Sequence, residues 1–154
     1  MKRYLMIIAM VVSILALQAQ GLAQRDDDAK YATELVKAGE KAPDFKLKTP
    51  DGKSLKLSKL QKGRWTVIDF WASWCPDCRK DIPSVKRMYA DFAQKGVQFV
   101  GVSFDTDGEV WKKAIAQYDL KYPQVSELKK MRESQVAQAY GVKWIPSIDR
   151  KSVV

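Results

Sequence analysis

The 154-residue chain contains no histidine and only two cysteines, Cys75 and Cys78. Conventional four-ligand zinc sites are built mainly from cysteine and histidine, so this composition excludes such a site within one chain. A structural disulfide is a weak explanation for the pair, because a bridge that closes so short a loop removes little chain entropy. The sequence also lacks internal repeats and low-complexity stretches.

The N-terminus has the three parts of a secretory signal peptide. Residues 1–3 are basic, Tyr4 to Leu17 is apolar, and Gly21 to Ala23 has the small residues of a cleavage site. The apolar run is shorter than the roughly 20 residues of a membrane span. We therefore expect residues 1–23 to be removed on export to the periplasm. An uncleaved inner-membrane tether is the alternative, and the lack of a nearby cysteine excludes a lipoprotein anchor.

Basic residues outnumber acidic ones, 27 to 18, which gives a formal net charge of +9. The lysines do not cluster. Lys46, Lys48, Lys53 and Lys56 alternate with apolar residues, as on the solvated face of a strand pair. We therefore expect no nucleic-acid partner.

Residues 24–38 are charged and poor in apolar side chains, which predicts a linker before a single domain at 39–154. Within the linker, the stretch from Tyr31 to Val36 is a candidate for a short helix. The domain opens with a predicted hairpin around the turn at Pro50-Asp51-Gly52, followed by one helical turn near Ser58.

An apolar run at Thr66–Trp71 predicts a buried strand, and a long helix follows the cysteines. The spacing of four side chains predicts its core face: Val85, Met88, Tyr89 and Phe92. Pro83 is expected to kink this helix and Gly96 to end it. Val97 to Phe104 predicts a central parallel strand.

Asp105 and Asp107 lie in a loop predicted to cap the next helix, and neither is expected to bind metal. Trp111 and Tyr118 are expected to pack in the interior. Residues 121–133 show no regular pattern, and a short helix is predicted to stop at Gly141. Strands that alternate with helices indicate an α/β layer fold with a mainly parallel sheet.

Cys75 follows a strand and precedes a helix. At such a junction the helix amides and the positive end of the helix dipole favour a thiolate, which is the nucleophilic form of cysteine. We expect Cys75 to be partly exposed beside Trp74 and to attack a substrate disulfide, with Cys78 resolving the mixed disulfide. The placement predicts thiol-disulfide exchange through a Cys75–Cys78 couple, with no bound cofactor.

The motifs from about Gly39 to Ser147 resemble the thioredoxin superfamily. Within it, they resemble exported thiol-disulfide oxidoreductases of the TlpA/ResA type, which are AhpC/TSA-redoxin-like. Three segments carry the likeness in order and spacing: Gly39 to Phe45, Val67 to Cys78, and Tyr140 to Ser147. The resemblance implies a thioredoxin-like fold with an N-terminal β-hairpin extension.

The resemblance also implies roles for residues around the cysteines. Asp69 would be the base that deprotonates Cys78, unless it faces solvent at a strand edge. Pro146 would form a cis peptide bond that blocks metal capture and presents the Ile145 backbone to an extended substrate. Trp71 is a candidate for substrate docking, with a place in the core as the equal alternative.

Three residues next to the cysteines are candidates for redox tuning. They are Trp74, Pro76 and Asp77. Pro76 suits the first helical turn. Asp77 should oppose thiolate formation, whereas the cationic Arg79 and Lys80 act in the other direction, so the net sign is open.

The C-terminus departs from the family, which continues past its proline with a strand, a turn, a second strand and a helix. Here only Ser147 to Val154 follow. We expect the usual C-terminal strand and helix to be lacking, with the active-site strand unsupported on one side. Reduced stability and self-association are the hypothesis that follows.

The resemblance implies oxidised exported proteins as substrates, with apocytochromes c as one candidate, and a membrane thiol-transfer protein as reductant. Such roles belong to cell redox homeostasis and cytochrome c biogenesis. Three alternatives stay open: an inactive truncated remnant, a peroxiredoxin-like antioxidant, and a Cu(I)-binding protein. The peroxidase is disfavoured because no threonine stands at the peroxidatic position before Cys75.

Overall fold

The computed structural model describes residues 35–36 and 40–151. The expected signal peptide, most of the expected linker with its candidate helix, and Val153 and Val154 lie outside this range. The described part contains six strands: β1 (Lys46–Lys48), β2 (Ser54–Lys56), β3 (Thr66–Trp71), β4 (Gln98–Ser103), β5 (Gln124–Ser126) and β6 (Ser147–Lys151). The α-helices are α1 (Leu57–Gln61), α2 (Pro76–Ala93), α3 (Gly108–Gln117) and α4 (Gln135–Ala139), with a 3₁₀ helix at Met131–Glu133. None of the helices within the described ranges has the length and apolar character that a bilayer span requires.

The six strands form one mixed sheet in the order β2-β1-β5-β4-β3-β6. The central strands β5, β4 and β3 are parallel, and the apolar runs predicted two of them, β3 and β4. The predicted hairpin is confirmed, with Leu47 opposite Leu55 in the antiparallel β1–β2 pair. The sheet thus has a parallel centre and antiparallel flanks.

Strand β6 corrects the expectation that the active-site strand would lack support on one side. β6 pairs antiparallel with β3 along Thr66–Phe70, while β4 pairs with β3 on its other side. All of the β3 residues are buried. The residues after Pro146 are therefore enough to cover β3, and the sheet edge moves outward to β6.

The segment predicted as irregular, residues 121–133, contains β5 and the 3₁₀ helix. β5 is only three residues long and is buried at every position. It therefore shows neither the alternation nor the length that marks a strand in sequence. This missed strand lies next to β4 and contributes side chains to the functional site.

Helix α2 begins at Pro76, includes Pro83 as expected, and carries its buried residues at Cys78, Ile82 and Val85. The predicted core face was wrong at its C-terminal end, since Phe92 is 44% exposed. Phe92 and the exposed Trp65 both line an apolar pocket at the start of β3. The buried stripe of the helix is therefore shifted toward its N-terminal turns, where the cysteines lie.

Aromatic side chains pack on both faces of the sheet. Phe70 stacks on Phe104 with ring centroids 6.1 Å apart and also contacts Tyr140. On the opposite face, Tyr89 of α2 packs edge-on against Phe99 at 5.4 Å. Successive residues of a strand face opposite sides, so Phe70 and Asp69 point to different layers.

Local capping fixes the ends of the smaller helices as predicted. The Asp107 side chain accepts hydrogen bonds from the backbone N–H groups of Glu109 and Val110, which caps α3. After α4, Gly141 adopts a φ of 65°, the left-handed conformation that favours glycine. The chain then runs directly into the segment before Pro146.

Candidate active site

The two cysteines form a disulfide at the N-terminus of α2. Cys75 is the N-cap residue of the helix, and its Sγ accepts a 3.1 Å hydrogen bond from the Cys78 N–H. Pro76 occupies the first helical turn, where its missing N–H leaves no hydrogen bond unmade. The Cα atoms of the pair are 5.3 Å apart. The junction between strand and helix therefore positions the sulfurs as the sequence predicted.

The disulfide is less accessible than expected. Cys75 is 4% exposed and Cys78 is 2% exposed, so the expectation of a partly exposed Cys75 was wrong for this oxidised form. The bond to Cys78 and the nearby Ile145 backbone cover the Cys75 sulfur. Trp74, the preceding residue, is 57% exposed and marks the outer surface of the site.

A proline segment faces the disulfide from the other side of the site. The Ile145–Pro146 peptide bond is cis, as the family resemblance implied. The carbonyl oxygen of Ile145 lies 3.7 Å from the Sγ of Cys75. The Ser147 hydroxyl donates a 2.8 Å hydrogen bond to the Trp144 carbonyl and so ties the two ends of the proline turn together.

Asp69 lies in the middle of β3 and is 4% exposed, so it does not face solvent at a strand edge. Its Oδ2 accepts a 2.8 Å hydrogen bond from the Tyr122 hydroxyl. Burial is the main cause that raises the pKa of Asp69 to about 6, and the nearby Asp81 carboxylate adds to this effect. The Tyr122 hydrogen bond acts in the opposite direction. A carboxyl group with such a pKa can exchange protons near neutral pH.

Trp71 is buried at 2% exposure, which fits the core alternative rather than direct docking of a substrate. Its indole N–H donates a 3.0 Å hydrogen bond to Oε1 of Gln124. Gln124 reaches Trp71 over the intervening strand β4, where Gly101 carries no side chain. A Cβ built on Gly101 would overlap the Gln124 amide. Trp71 is thus held in the core by a side chain from β5.

Asp105 fixes the loop between β3 and Cys75. Its carboxylate accepts hydrogen bonds from the Ser73 N–H at 3.0 Å, the Ser73 hydroxyl at 2.6 Å and the Ser103 hydroxyl at 2.7 Å. Asp105 is buried, and these three donors satisfy its charge. Asp105 lies in a loop, as predicted. The sequence did not indicate that its side chain bonds to the loop leading to Cys75.

The charged residues between and just after the cysteines lie at the surface. Asp77 pairs with Lys80 at 3.0 Å, and both side chains are largely exposed. Arg79 donates a 2.9 Å hydrogen bond to the Ser73 carbonyl. Asp77 thus has a cationic partner on its own helix, and its predicted tuning role stays a prediction.

Three contributors to the site were missed in the sequence: Tyr122, Gln124 and Asp105. Tyr122 and Gln124 flank Pro123 at the start of the unrecognised strand β5. No motif marks them, because their partners Asp69 and Trp71 are 53 residues away in the chain. Within residues 35–36 and 40–151, no group of three or more histidine, cysteine or acidic side chains is arranged to hold a metal ion.

Comparison with known proteins identifies the family. The sequence profile described as the AhpC/TSA family matches residues 38–153, which is most of the chain. The chain belongs to the AhpC/TSA family. Among the curated relatives, the thiol-disulfide oxidoreductase ResA of Oceanobacillus iheyensis is 36% identical to this chain over 98 residues. That alignment covers 61% of this chain and 50% of the relative. Other matched ResA proteins are covered over up to 63% of their length, so the chain spans about half to two thirds of them.

Solved structures related to this AhpC/TSA member show a thioredoxin-like fold. The thioredoxin domain of a thiol-disulfide oxidoreductase from Bacteroides vulgatus superposes with a TM-score of 0.68 at 32% identity. The match covers 76% of this chain and 82% of that one. A secreted disulfide oxidoreductase from Mycobacterium tuberculosis, homologous to Escherichia coli DsbE, gives a TM-score of 0.60 at 26% identity. It covers 70% of this chain and 75% of that one.

Proposed function

We propose that this protein is a thiol-disulfide oxidoreductase that reduces disulfides in other proteins through the Cys75–Cys78 couple. The observation that carries the proposal is the disulfide at the start of α2, with its Cys75 sulfur 3.7 Å from the Ile145 carbonyl. The names of the ResA relatives support the same chemistry. The backbone of Ile145 before cis-Pro146 offers an edge on which an extended substrate segment can lie.

The reaction starts from the reduced protein. The Cys75 thiolate attacks one sulfur of a substrate disulfide, and the other substrate sulfur leaves as a thiolate that takes a proton from water. Cys78 then gives its proton to the Asp69 carboxylate and attacks the Cys75 sulfur. The bond to the substrate breaks, the second substrate sulfur leaves as a thiolate that takes a proton from water, and Asp69 returns its proton to the solvent. Two electrons have passed from the Cys75–Cys78 dithiol to the substrate.

We propose that the protein works outside the cytoplasm, as its N-terminal sequence predicts and as the secreted relative from Mycobacterium tuberculosis suggests by analogy. Its substrates would be oxidised exported proteins, with apocytochrome c the first to test. A membrane thiol-transfer protein would return the disulfide to the dithiol by giving two electrons, with two protons from solvent. These partners account for the roles in redox homeostasis and cytochrome c biogenesis that the family resemblance implied.

The decisive experiment equilibrates the mature chain in glutathione buffers and traps the cysteines by alkylation for mass spectrometry. Circular dichroism on the same samples reports whether the chain is folded. A single reversible two-electron transition near thioredoxin's potential, about −270 mV, is the expected result. A folded chain without such a transition would contradict the proposal, and an unfolded chain would favour the remnant hypothesis.

Two single substitutions test the order of attack. Cys78→Ser should accumulate a mixed disulfide between Cys75 and an oxidised apocytochrome c peptide, whereas Cys75→Ser should form none. Equal trapping by both variants would mean that the roles are assigned wrongly. Peroxide consumption by the wild type, measured in parallel, would instead favour the antioxidant alternative, and Cu(I) titration of the reduced chain tests the metal-binding alternative.

A further inference from the structure

Among the residues that the structure describes, the Tyr122 hydroxyl is the one hydrogen-bond donor to the Asp69 side chain. The two residues are 53 positions apart, and the hydrogen bond between them is 2.8 Å long. Both residues are buried, Tyr122 at 2% and Asp69 at 4% exposure. Within the described residues, no lysine or arginine forms an ion pair with this carboxylate. A buried carboxylate without a cation depends on its hydrogen bonds.

The sheet register allows this contact across a whole strand. Asp69 is paired with Gly101 of β4, which carries no side chain between the two partners. Tyr122 lies just before β5, on the far side of β4. Its ring packs against Tyr89 at 5.5 Å and Phe99 at 6.1 Å, so the hydroxyl is held in place by its neighbours.

Among the described residues, two titratable groups act on Asp69: Asp81 of α2 and Tyr122 before β5. Strand β4 contributes no such group at the paired position, Gly101. Cys78 lies one helical turn before Asp81 and is buried in the same helix. Helix α2 therefore carries both the resolving cysteine and a charge that acts on Asp69.

We propose that Tyr122 is a positioning residue for the resolving step. By donating to Oδ2, it fixes the Asp69 carboxylate and leaves Oδ1 as the oxygen that exchanges a proton with Cys78. In the described part of the protein, Oδ1 accepts no hydrogen bond. This inference rests on the proposed function and assigns a role to a residue outside the recognised motifs.

The electrostatics agree with this geometry. The Tyr122 hydrogen bond lowers the pKa of Asp69 against the larger effect of burial, which keeps that pKa within the working range of a base. Burial and the Asp69 charge raise the pKa of Tyr122 well above its ordinary value. The hydroxyl therefore keeps its proton and donates throughout the reaction. In the resolving step the Tyr122 proton stays in place while the Cys78 proton passes to Asp69.

The test is a titration of the Asp69 carboxyl carbon by nuclear magnetic resonance in the oxidised full chain, which needs no turnover. Asp69→Asn identifies the resonance. In Tyr122→Phe the midpoint should rise by about one pH unit, because a hydrogen bond to the charged form is lost. The acidic limb of the pH–rate profile for disulfide exchange should move to higher pH by the same amount. An unchanged midpoint in a folded Tyr122→Phe protein would overturn the proposal.

The matched control is Tyr89→Phe, which removes a hydroxyl from the same ring cluster without touching Asp69. Its midpoint should equal that of the wild type, and an equal rise in both variants would contradict a specific role for Tyr122. The wild type alone provides a second measurement if Tyr122→Phe does not fold. The Tyr122 Cζ resonance should shift with the Asp69 midpoint, and a flat Cζ response would also overturn the proposal. Failure of exchange activity with a normal Asp69 response would contradict only the proposed function.

Discussion

Gly101 and Gln124 lie opposite each other on the parallel strands β4 and β5, and the Gln124 side chain occupies the space that a Cβ on Gly101 would take. From there Gln124 accepts the Trp71 indole hydrogen bond at 3.0 Å. Because Gly101 has no side chain, side chains from β3 and β5 can meet across β4, the strand between them.

Gly101→Ala should destabilise the protein by about 2 kcal/mol, because the added methyl group must displace the buried Gln124 amide. Gly108→Ala is the matched control, since its Cβ would meet only Leu128 at an ordinary 3.6 Å. Urea unfolding of both variants measures the difference. Equal midpoints for the two alanine variants would show that Gln124 relocates without cost.

Asp69→Asn should change how stability depends on pH. The folded protein raises the pKa of Asp69 from 3.8 to about 6, so it binds this proton more tightly than the unfolded chain does. The contribution of the group to stability is therefore complete below about pH 4 and is lost as the pH rises through 6. Between pH 4 and pH 8, wild type should lose roughly 3 kcal/mol relative to the variant.

Urea unfolding of the oxidised proteins across this pH range checks the prediction. Asp91→Asn, which changes an exposed acid on α2, serves as the control. The Asp69→Asn protein should be the more stable one at pH 8 and the slower one in disulfide exchange. Parallel stability curves for wild type and Asp69→Asn would rule out a raised pKa.

Asp105→Ala should cost roughly 3 kcal/mol, because the half-buried Ser73 and the buried Ser103 donors lose their acceptor. The loop that carries Trp74 and Cys75 should also become less ordered, which slows disulfide exchange in the folded variant. Asp107→Ala, two residues on, removes only an exposed helix cap and should cost about 1 kcal/mol with normal exchange. Similar exchange rates for both variants would show that Asp105 has no role beyond stability.

Strand β6 forms one edge of the sheet and carries Ile148, which is 38% exposed. Because such an edge offers backbone groups to another chain, we expect concentration-dependent self-association. Ile148→Lys should shift the sedimentation profile toward monomer, whereas Val110→Lys, at an exposed position on α3, should not. A wild type that stays monomeric at high concentration would refute this expectation.

The sequence was sufficient for the elements that follow a clear pattern. The hairpin, β3, α2 and β4 were each predicted from apolar spacing and turn residues, and the cysteine pair was placed correctly at the start of α2. The cis bond at Pro146 came from the family resemblance rather than from the residues themselves, because most bonds before proline are trans.

The features that the sequence did not reveal depend on contacts between residues that are far apart in the chain. β5 has three buried residues and no alternation, so local pattern could not reveal it or the roles of Tyr122 and Gln124. Phe92 fits a helical stripe but lies at the exposed end of α2. The low exposure of Cys75 depends on its contact with the Ile145 segment, 70 residues later in the chain.

The sulfur of Cys75 serves α2 in two capacities, since it bonds to Cys78 and also caps the first turn by accepting the Cys78 N–H. A thiolate or a mixed disulfide at Cys75 keeps lone pairs that can accept the same hydrogen bond. The helix can therefore remain capped in every redox state. In the proposed exchange, the first turn of α2 need not give up its cap when Cys75 changes its bonding partner.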